Sequence, residues 1–507
     1  MSADPVLQGI SESPDPFGEP LELDEIRASS GRNLAITTLA KGGSQLLRFL
    51  TVLLLARLLA PADFGVLAMV TATIGIADIL RDLGLSQATV RLPRITHAQI
   101  NSVFWINVGL GSLMTVVGIL TAPLLATFFA DGRVTGVAAA MACNFLVNSL
   151  SAQHLALMRR SLRFAELARI SLTTTVIGNL VALTMAALGA AYWALVVSAL
   201  VSNLMTAGNA WRRSGWRPTA PAFDPSVRSM LSFGGYLVGF AFLTYLAQNL
   251  QIALIGRFWG AASAGLYTRA YALLMLPLGY VLEPLRMIAP AILSRLERAP
   301  GEFRDYYLDA VSIAVLVVAP ASAWITLMAP DIVVCVLGPR WTEAGELLRW
   351  FALGAVPLIL SNTTGWLYTS RGNARGLMNW GAFGWTVVII CMLFGMRWSI
   401  AGVAAMFTVG MYLIVVPCLV FAYRGTQIHL ADLWKVIWRP IVGALAAAAP
   451  VAMLLPELQH WTAVGRLGTT LLVLGAAYLS LLLTVLGQRA RIMKLWVQLR
   501  SKLGRAP

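Results

Sequence analysis

Charged residues are scarce in this chain of 507 residues. Asp, Glu, Lys and Arg together make up only 12% of it, whereas 58% of the residues are hydrophobic. About a quarter of the residues in a soluble domain are charged, so half that share leaves too little polar surface to cover a globule. Uncharged stretches such as 110–130 and 467–487 have the length that an α-helix needs to cross a bilayer. The composition therefore predicts an all-α integral membrane protein and excludes a soluble one.

Cysteine and histidine are also rare, with four residues of each. The cysteines do not stand at the spacing of a metal site, and we expect small buried side chains. The chain also lacks a phosphate-binding Gly-rich loop ending in Lys-Ser or Lys-Thr, a GxSxG motif and an HExxH motif. We therefore predict no metal, no cofactor and no enzymatic activity, and we exclude ATP hydrolysis by this chain as its energy source.

Acidic residues are concentrated at the amino terminus. Residues 1–30 carry seven acids, one arginine and four prolines, which is typical of a disordered segment. The remaining chain holds 37 of the 38 bases and 16 of the 23 acids. Most of these bases lie in short segments between apolar stretches. Because positive residues favour the cytoplasmic side of a membrane, we interpret them as topology signals and not as a nucleic-acid surface.

The apolar pattern predicts fourteen transmembrane helices with both termini in the cytoplasm. This arrangement places 27 of the 38 bases in cytoplasmic segments, seven outside and four within spans. The predicted helices are 34–58, 64–84, 100–122, 135–157, 168–188, 190–211, 230–256, 264–291, 306–328, 345–369, 376–396, 399–423, 436–455 and 464–487.

Two related segments, 200 residues apart, indicate an internal repeat. Arg57 closes predicted helix 1 and Gly65 follows eight residues later, while Arg257 closes helix 7 and Gly265 follows in the same way. We predict two six-helix lobes in a pseudo-twofold parallel repeat, as in many secondary transporters. The predicted parts are a disordered acidic cytoplasmic tail (1–30), an N-lobe (31–213), a cytoplasmic linker (214–229), a C-lobe (230–424), an appended helix pair (434–488) and a basic cytoplasmic tail (489–507).

Charged residues within predicted spans are the first candidates for a functional site, because each costs about 2.5–3.5 kcal/mol to insert. Lys41 and Arg48 lie seven residues apart on one face of helix 1, and Arg269 lies near the start of helix 8. Cations that face a lumen suit a phosphate-bearing substrate, and the alternative is that these side chains snorkel to the headgroups. Uncharged candidates, for the same cavity or for hydrogen bonds between helices, are Gln248, Asn249 and Gln251 of helix 7.

Two further clusters of charge stand near the predicted inner ends of helices 2 and 8. They are Asp78, Arg81 and Asp82 in helix 2, and Glu283 and Arg286 in helix 8. A spacing of three residues brings opposite charges together on a helix surface. We interpret both clusters as structural ion pairs or as parts of an inner gate.

Three stretches resemble one family of bacterial transporters. They are LARLLAPADFG at 55–65, LIGRFWG with GLYTRAY within 254–271, and RRSLRF at 159–164. These stretches resemble the Wzx-type polysaccharide flippases, in particular the colanic-acid exporter type, of the multidrug/oligosaccharidyl-lipid/polysaccharide superfamily. The resemblance implies alternating access of two lobes around a cationic cavity. The implied substrate is an undecaprenyl-diphosphate-linked oligosaccharide, moved across the bacterial inner membrane for exopolysaccharide or lipopolysaccharide biosynthesis.

The resemblance also bears on single residues and partners. Arg269 stands where related lipid II flippases carry a cavity arginine, whereas Gln251 stands where many relatives carry an acid. The implied partners are membrane lipids and a polysaccharide polymerase with its chain-length machinery, and no nucleic acid.

The charges of the chain fit two alternative functions less well. A multidrug or cation antiporter of the same superfamily would need lumenal acids, whereas the deep charges here are mostly basic. A membrane-embedded polysaccharide polymerase or glycosyltransferase would carry acids in a sizeable outer loop, but the longest predicted one, 329–343, has only Asp331 and Glu343.

Overall fold

The computed structural model describes residue 43 and residues 47–82, 85–91, 95–222, 224 and 227–484. Within these residues the chain forms fifteen α-helices and two short 3₁₀ helices, joined by short turns. The α-helices are α1 (47–58), α2 (Pro61–Asp82), α3 (Leu85–Arg91), α4 (His97–Phe129), α5 (Arg133–Arg160), α6 (Phe164–Ala187), α7 (Trp193–Arg213), α8 (Val227–Leu296), α9 (Pro300–Val336), α10 (Ala344–Leu353), α11 (Ala355–Ser370), α12 (Ala374–Gly395), α13 (Ile400–Tyr423), α14 (Leu430–Leu454) and α15 (Ala463–Thr484).

Ten helices in the described part of the chain are long and apolar enough to cross a membrane, or up to twelve if each of two bent pairs counts as one span. The bent pairs are Gln248–Gly279 with Leu282–Leu296, bent by 52°, and α10 with α11, bent by 53°. The prediction of an all-α, multi-pass membrane protein is confirmed. The predicted count of fourteen helices stays a prediction.

The helices differ from the predicted ones at several ends and breaks; α4, for instance, runs to Phe129, seven residues beyond its predicted end. The short α3 was not predicted, because seven residues are too few to show an apolar period. Predicted helix 10 is broken at Gly354 into α10 and α11. α9 continues to Val336, eight residues beyond its predicted end, so Asp331 lies within a helix and not in an outer loop. Arg466 of α15 pairs with this carboxylate and compensates its charge there.

The related segments found in the sequence both contain a helix break. α1 ends at residue 58 and α2 begins at Pro61, where the Ala60 backbone N–H donates to Asp63 Oδ2 at 2.8 Å. A proline and an acid in the first turn are typical of a helix start. In α8 the helix is interrupted at Gly260, which has φ 78° and ψ −178°, a conformation essentially restricted to glycine. Ala60 and Gly260 stand 200 residues apart, like the motifs that surround them.

The structure divides into two compact units between Ala262 and Ser263. Unit 1 holds α1 to α7 and the first half of α8, and unit 2 holds the second half of α8 and α9 to α15. The division falls within the predicted C-lobe (230–424). The lobe limits that we derived from the repeat therefore stay a prediction.

In unit 1, α4 and α5 approach each other closely at small residues. A Cβ placed on Gly111 would lie 2.1 Å from Ser149 Oγ, and one on Gly118 would lie 2.7 Å from Ala142 Cβ. Glycines of this kind let membrane helices pack with their backbones close together.

The turn between α4 and α5 is closed by an ion pair of 2.7 Å between Asp131 and Arg133. The hydrogen bonds from the Arg133 guanidinium hold the pKa of the Asp131 carboxyl below its usual range.

In unit 2, ion pairs near both ends of α9 hold the helices that the sequence analysis placed outside the repeat. Near the start of α9, Arg304 pairs with Asp432 of α14 at 2.8 Å. Near its end, Asp331 pairs with Arg466 of α15. α14 and α15 are thus attached to unit 2 through α9.

Candidate functional site

Arg48 lies on α1 and its side chain is exposed. Exposed apolar residues accompany it on this helix, among them Leu47, Leu50 and Leu54, whereas Thr51 and Leu55 are buried. Arg48 is therefore not packed into the core of unit 1. Lys41, its predicted companion, lies outside the described residues. The diphosphate-binding role of both residues stays a prediction.

The three polar candidates of the first half of α8 bind mostly within their own helix. The Asn249 side-chain amide donates to the Tyr245 carbonyl at 2.9 Å, and the Gln251 amide donates to the Gln248 carbonyl. The Gln248 side chain is exposed. These two amide donors thus bind helix carbonyls one turn earlier.

Asp78 and Arg81 form the ion pair that their spacing predicts, with 3.0 Å between Asp78 Oδ1 and Arg81 Nε. Arg81 is only 8% exposed and also donates to Ser149 Oγ of α5 at 3.4 Å. A buried cation of this kind depends on its partner, because removal of the carboxylate would leave the charge uncompensated. Asp82 is the last residue of α2, and its side chain lies outside the described part of the structure. The pairing is confirmed, and the gate role stays a prediction.

The sequence analysis missed uncharged polar residues buried between α3, α4 and α5. Thr89 of α3 donates to Gln153 Oε1 of α5 at 3.0 Å, and both residues are fully buried. Asn107 of α4 and Ser149 of α5 are equally buried. A search of the apolar spans for amides and hydroxyls, and not only for ionisable groups, would have found them. The Thr89–Gln153 hydrogen bond links α3 to α5, as polar side chains do between membrane helices.

Arg269 lies in unit 2, in the second half of α8, and is partly buried. Its neighbours Tyr267 and Tyr271 pack edge-on against Phe351, with ring centroids 5.1 Å and 5.4 Å apart. Because successive helix residues are about 100° apart, Arg269 lies on a different face of α8 from these two tyrosines. The aromatic contacts therefore hold this part of α8 in place. They lie on a different face of the helix from the Arg269 guanidinium.

Glu283 and Arg286 also form their predicted ion pair, with 3.3 Å between Glu283 Oε1 and Arg286 Nη1. Both side chains are about two-thirds exposed, at 66% and 63%, so solvent screens the pair and it contributes little to stability. The pairing is confirmed, and its role as part of a gate stays a prediction.

The candidates thus belong to both units. Arg48, Gln248, Asn249, Gln251, Asp78 and Arg81 lie in unit 1, and Arg269, Glu283 and Arg286 lie in unit 2. Among the residues that the structure describes, no group of three or more His, Cys, Asp or Glu side chains could hold a metal ion. Arginine side chains of this kind can bind an anion, and amide side chains can bind polar groups.

The fold is that of a class of membrane transporters. It matches a solved structure of the lipid II flippase MurJ in an inward closed conformation with a TM-score of 0.74, over 90% of this chain and all of that one, at 13% identity. It also matches an inward-facing multidrug resistance MATE family transporter of the MOP superfamily with a TM-score of 0.61, over 75% of this chain and 94% of that one, at 15% identity. At such identities the likeness establishes the fold alone.

The sequence defines the family more narrowly. Residues 54–346, more than half of the chain, match the family described as polysaccharide biosynthesis protein. The chain belongs to this family, and the resemblance to polysaccharide flippases drawn from the sequence is confirmed.

Similar proteins come from several bacteria. The lipopolysaccharide biosynthesis protein WzxC of Escherichia coli is 24% identical over 69% of this chain and 71% of its own length. The teichuronic acid biosynthesis protein TuaB of Bacillus subtilis is 23% identical over 60% of this chain and 63% of its own length. The succinoglycan biosynthesis transport protein ExoT of Rhizobium meliloti is 22% identical over 64% of this chain and 65% of its own length.

Proposed function

We propose that this protein is a flippase that moves lipid-linked oligosaccharide units across a membrane for the biosynthesis of exopolysaccharide or lipopolysaccharide. The family match over residues 54–346 is the observation that carries the proposal. The fold, which is similar to that of a lipid II flippase over 90% of the chain, supports it, because that protein is also named as a flippase of a lipid. The MATE fold is also similar, but the family match does not favour a drug antiporter.

The finer parts of the proposal concern substrate and place. We assign an undecaprenyl-diphosphate-linked oligosaccharide as the substrate, the bacterial inner membrane as the site of action, and the cytoplasm as the side of both termini. A polysaccharide polymerase with its chain-length machinery would consume the product, and surrounding lipids would hold the prenyl tail. The bacterial relatives named for polysaccharide biosynthesis support this assignment.

A cationic cavity is expected because the headgroup of the proposed substrate is a diphosphate with attached sugars. A diphosphate and several sugars cannot enter hydrocarbon, whereas a prenyl chain remains there without cost. An arginine can bind phosphate through two parallel N–H···O hydrogen bonds, and Arg48 lies on α1 and Arg269 on α8. We propose that these two residues and Lys41 bind the diphosphate, and that amides such as Gln248 contact the sugars.

Movement between an inward-open and an outward-open state would then carry the headgroup across. The two states must lie within a few kcal/mol of each other, since a substrate shifts their populations only by its difference in affinity.

Deletion of the gene in its native bacterium tests the proposal. We expect surface polysaccharide to disappear while lipid-linked oligosaccharide accumulates in the inner leaflet, and a plasmid copy to reverse both changes. A polymerase mutant would behave differently, because single repeat units would still reach the outer face. Unchanged surface polysaccharide, or single units exposed outside, would refute the assignment as a flippase.

A further inference from the structure

The segment that leaves α7 is bound unusually tightly to unit 1. α7 ends at Arg213 and α8 begins at Val227, and we call residues 214–222 the clamp segment. Loops that join two halves of a transporter are commonly regarded as flexible tethers, with their backbone groups hydrogen-bonded to water. Here side chains of α4 bind the backbone of the segment, and aromatic rings of α4 and α5 surround one of its residues.

Three side chains in the first three turns of α4 make the backbone contacts. Asn101 accepts from the Thr219 N–H at 2.9 Å and donates to the Ala220 carbonyl at 2.9 Å, so one amide satisfies two backbone groups. Trp105 Nε1 donates to the Thr219 carbonyl at 2.8 Å.

The neighbouring Ser102 extends this set of contacts. Its hydroxyl accepts from the Asp224 N–H at 2.9 Å. The single hydroxyl hydrogen is shared between two acceptors at 2.8 Å, the Ala222 carbonyl and the Ala98 carbonyl of α4. Asn101 and Ser102 are both only 1% exposed, so these two side chains are shielded from water, whereas Thr219, Ala220 and Ala222 of the clamp segment are exposed.

Trp216 fills an aromatic site at the same end of unit 1. It is 2% exposed, and its ring lies 5.5 Å from Phe104 of α4, 5.1 Å from His154 of α5 and 5.9 Å from His97. His154 Nδ1 lies 2.8 Å from the hydroxyl of Ser214, the first residue of the clamp segment.

Arg163 binds the backbone where α7 ends and the clamp segment begins. Its guanidinium donates to the carbonyls of Arg213 at 2.7 Å and Ser214 at 3.2 Å, and Glu166 pairs with it at 2.7 Å. The carboxylate fixes the arginine, and the arginine satisfies carbonyls at the end of α7 that have no partner within the helix.

The start of α8 belongs to the same core. Val227 is fully buried in a cluster that includes Leu85, Ile95, Phe104 and Trp216, and its N–H donates to the Asp224 carbonyl at 3.1 Å. Val227 and Trp216 therefore belong to one packed cluster of unit 1.

We propose that the clamp segment is a permanently locked part of unit 1, and that the joint which allows movement during transport lies beyond Val227, within α8. A flexible tether would require the Asn101, Ser102 and Trp216 contacts to open in each cycle. The consequence for transport rests on the proposed function, whereas the locking itself is a property of unit 1.

Amide hydrogen exchange of the full-length protein in nanodiscs tests the locking without any substrate. We expect the amides of Thr219 and Asp224 to exchange slowly, and Asn101→Ala with Ser102→Ala to raise their rates at least about fivefold. The control is Thr115→Ala, which removes a hydrogen bond from α4 to the Ala142 carbonyl away from the clamp. It should leave both rates unchanged. Exchange at the rate of an unstructured peptide in the unaltered protein would overturn the proposal.

A reversible cross-link tests whether the lock opens during transport. In a variant whose four native cysteines are replaced, Ser102→Cys and Ala222→Cys are joined by a disulfide or a short thiol-reactive reagent. We expect polysaccharide export to stay within about twofold of the reduced form, because the locked contact would not need to open. Loss of export on cross-linking and recovery with reductant would overturn it. If even the reduced form failed to support export, the exchange experiment would still decide on the clamp.

Discussion

The charged residues of the membrane helices show which contacts sequence spacing determines. Asp78 with Arg81, and Glu283 with Arg286, pair as their spacing of three residues predicts. Their surroundings could not be predicted, because Arg81 is buried against α5 while Arg286 is exposed. Spacing fixes neighbours on one helix, whereas burial depends on which other helix packs there.

The cationic candidates allow a direct test at this scale. We expect Arg48→Ala and Arg269→Ala each to lower polysaccharide export at least about tenfold per membrane-inserted molecule, and lysine at either position to restore only part of it, because an ammonium group cannot form the paired hydrogen bonds of a guanidinium. Export of surface polysaccharide, divided by protein in the membrane fraction, is the measurement.

The matched control is Arg397→Ala, which removes an exposed arginine that lies over the Phe394 ring at 5.1 Å. It should leave export unchanged. If the two site variants instead lowered protein level while export per molecule stayed normal, Arg48 and Arg269 would be structural residues and not ligands of the diphosphate.

The helices as elements were largely predictable, because each apolar stretch of about twenty residues became a helix in the described structure. The missed features depend on contacts distant in sequence. α3 is too short for a periodic signal, and the last residues of α9 remain helical although they contain Asp331, whose partner Arg466 is 135 residues away. The helix propensity of a short stretch does not show which distant residue will pair with a charge in it.

The break in α8 makes a prediction for a single glycine. Gly260→Ala places a Cβ on a residue with φ 78° and ψ −178° and should cost about 1–3 kcal/mol, seen as a lower melting temperature in detergent. Gly279→Ala, in the same helix and with open space around the added carbon, is the control and should melt no lower than the unaltered protein, because alanine favours a helix more than glycine does. Equal melting temperatures for both variants would contradict the strained conformation at Gly260.

The attachment of α15 to α9 can be measured by a double-mutant cycle. Asp331 and Arg466 are 21% and 24% exposed, so Asp331→Asn and Arg466→Met should each destabilise the protein by about 1–3 kcal/mol. The double variant should lose less than the sum of the two, with a coupling energy of about 1 kcal/mol or more in thermal unfolding.

The exposed pair Glu283 and Arg286 is the control for this cycle, since Glu283→Gln and Arg286→Met should show a coupling energy near zero. Additive effects at Asp331 and Arg466 would mean that the pair does not hold α15 in place.

For the molecule as a whole, composition predicted the class, and the motifs at 55–65 and 254–271 predicted the family that the match over residues 54–346 shows. The boundary between the units could not be predicted, because the repeat marks equivalent helices and not the contacts that group them. The division after Ala262 reflects packing of the first half of α8 within unit 1. A Cβ on Gly256, for instance, would lie 2.4 Å from Met69 Sδ.

Sidedness is a prediction at this scale. A reporter fused after Gly425 should be active only in the cytoplasm and one fused after Glu457 only in the periplasm, because α14 lies between them and the basic loops favour the inside. Alkaline phosphatase and green fluorescent protein fusions report the two compartments. Both fusions on one side would contradict the topology.

The central claim is translocation of a lipid-linked oligosaccharide, and a reconstituted assay measures it most directly. Purified protein in liposomes that contain a polyprenyl-diphosphate oligosaccharide should make the inner-leaflet glycolipid accessible to a sugar-modifying reagent added outside. We expect accessibility to rise from about half to nearly all of the glycolipid, at a rate at least about tenfold above that of protein-free liposomes and of the Arg48→Ala, Arg269→Ala double variant. A folded, unaltered protein that left half of the glycolipid protected would contradict the account.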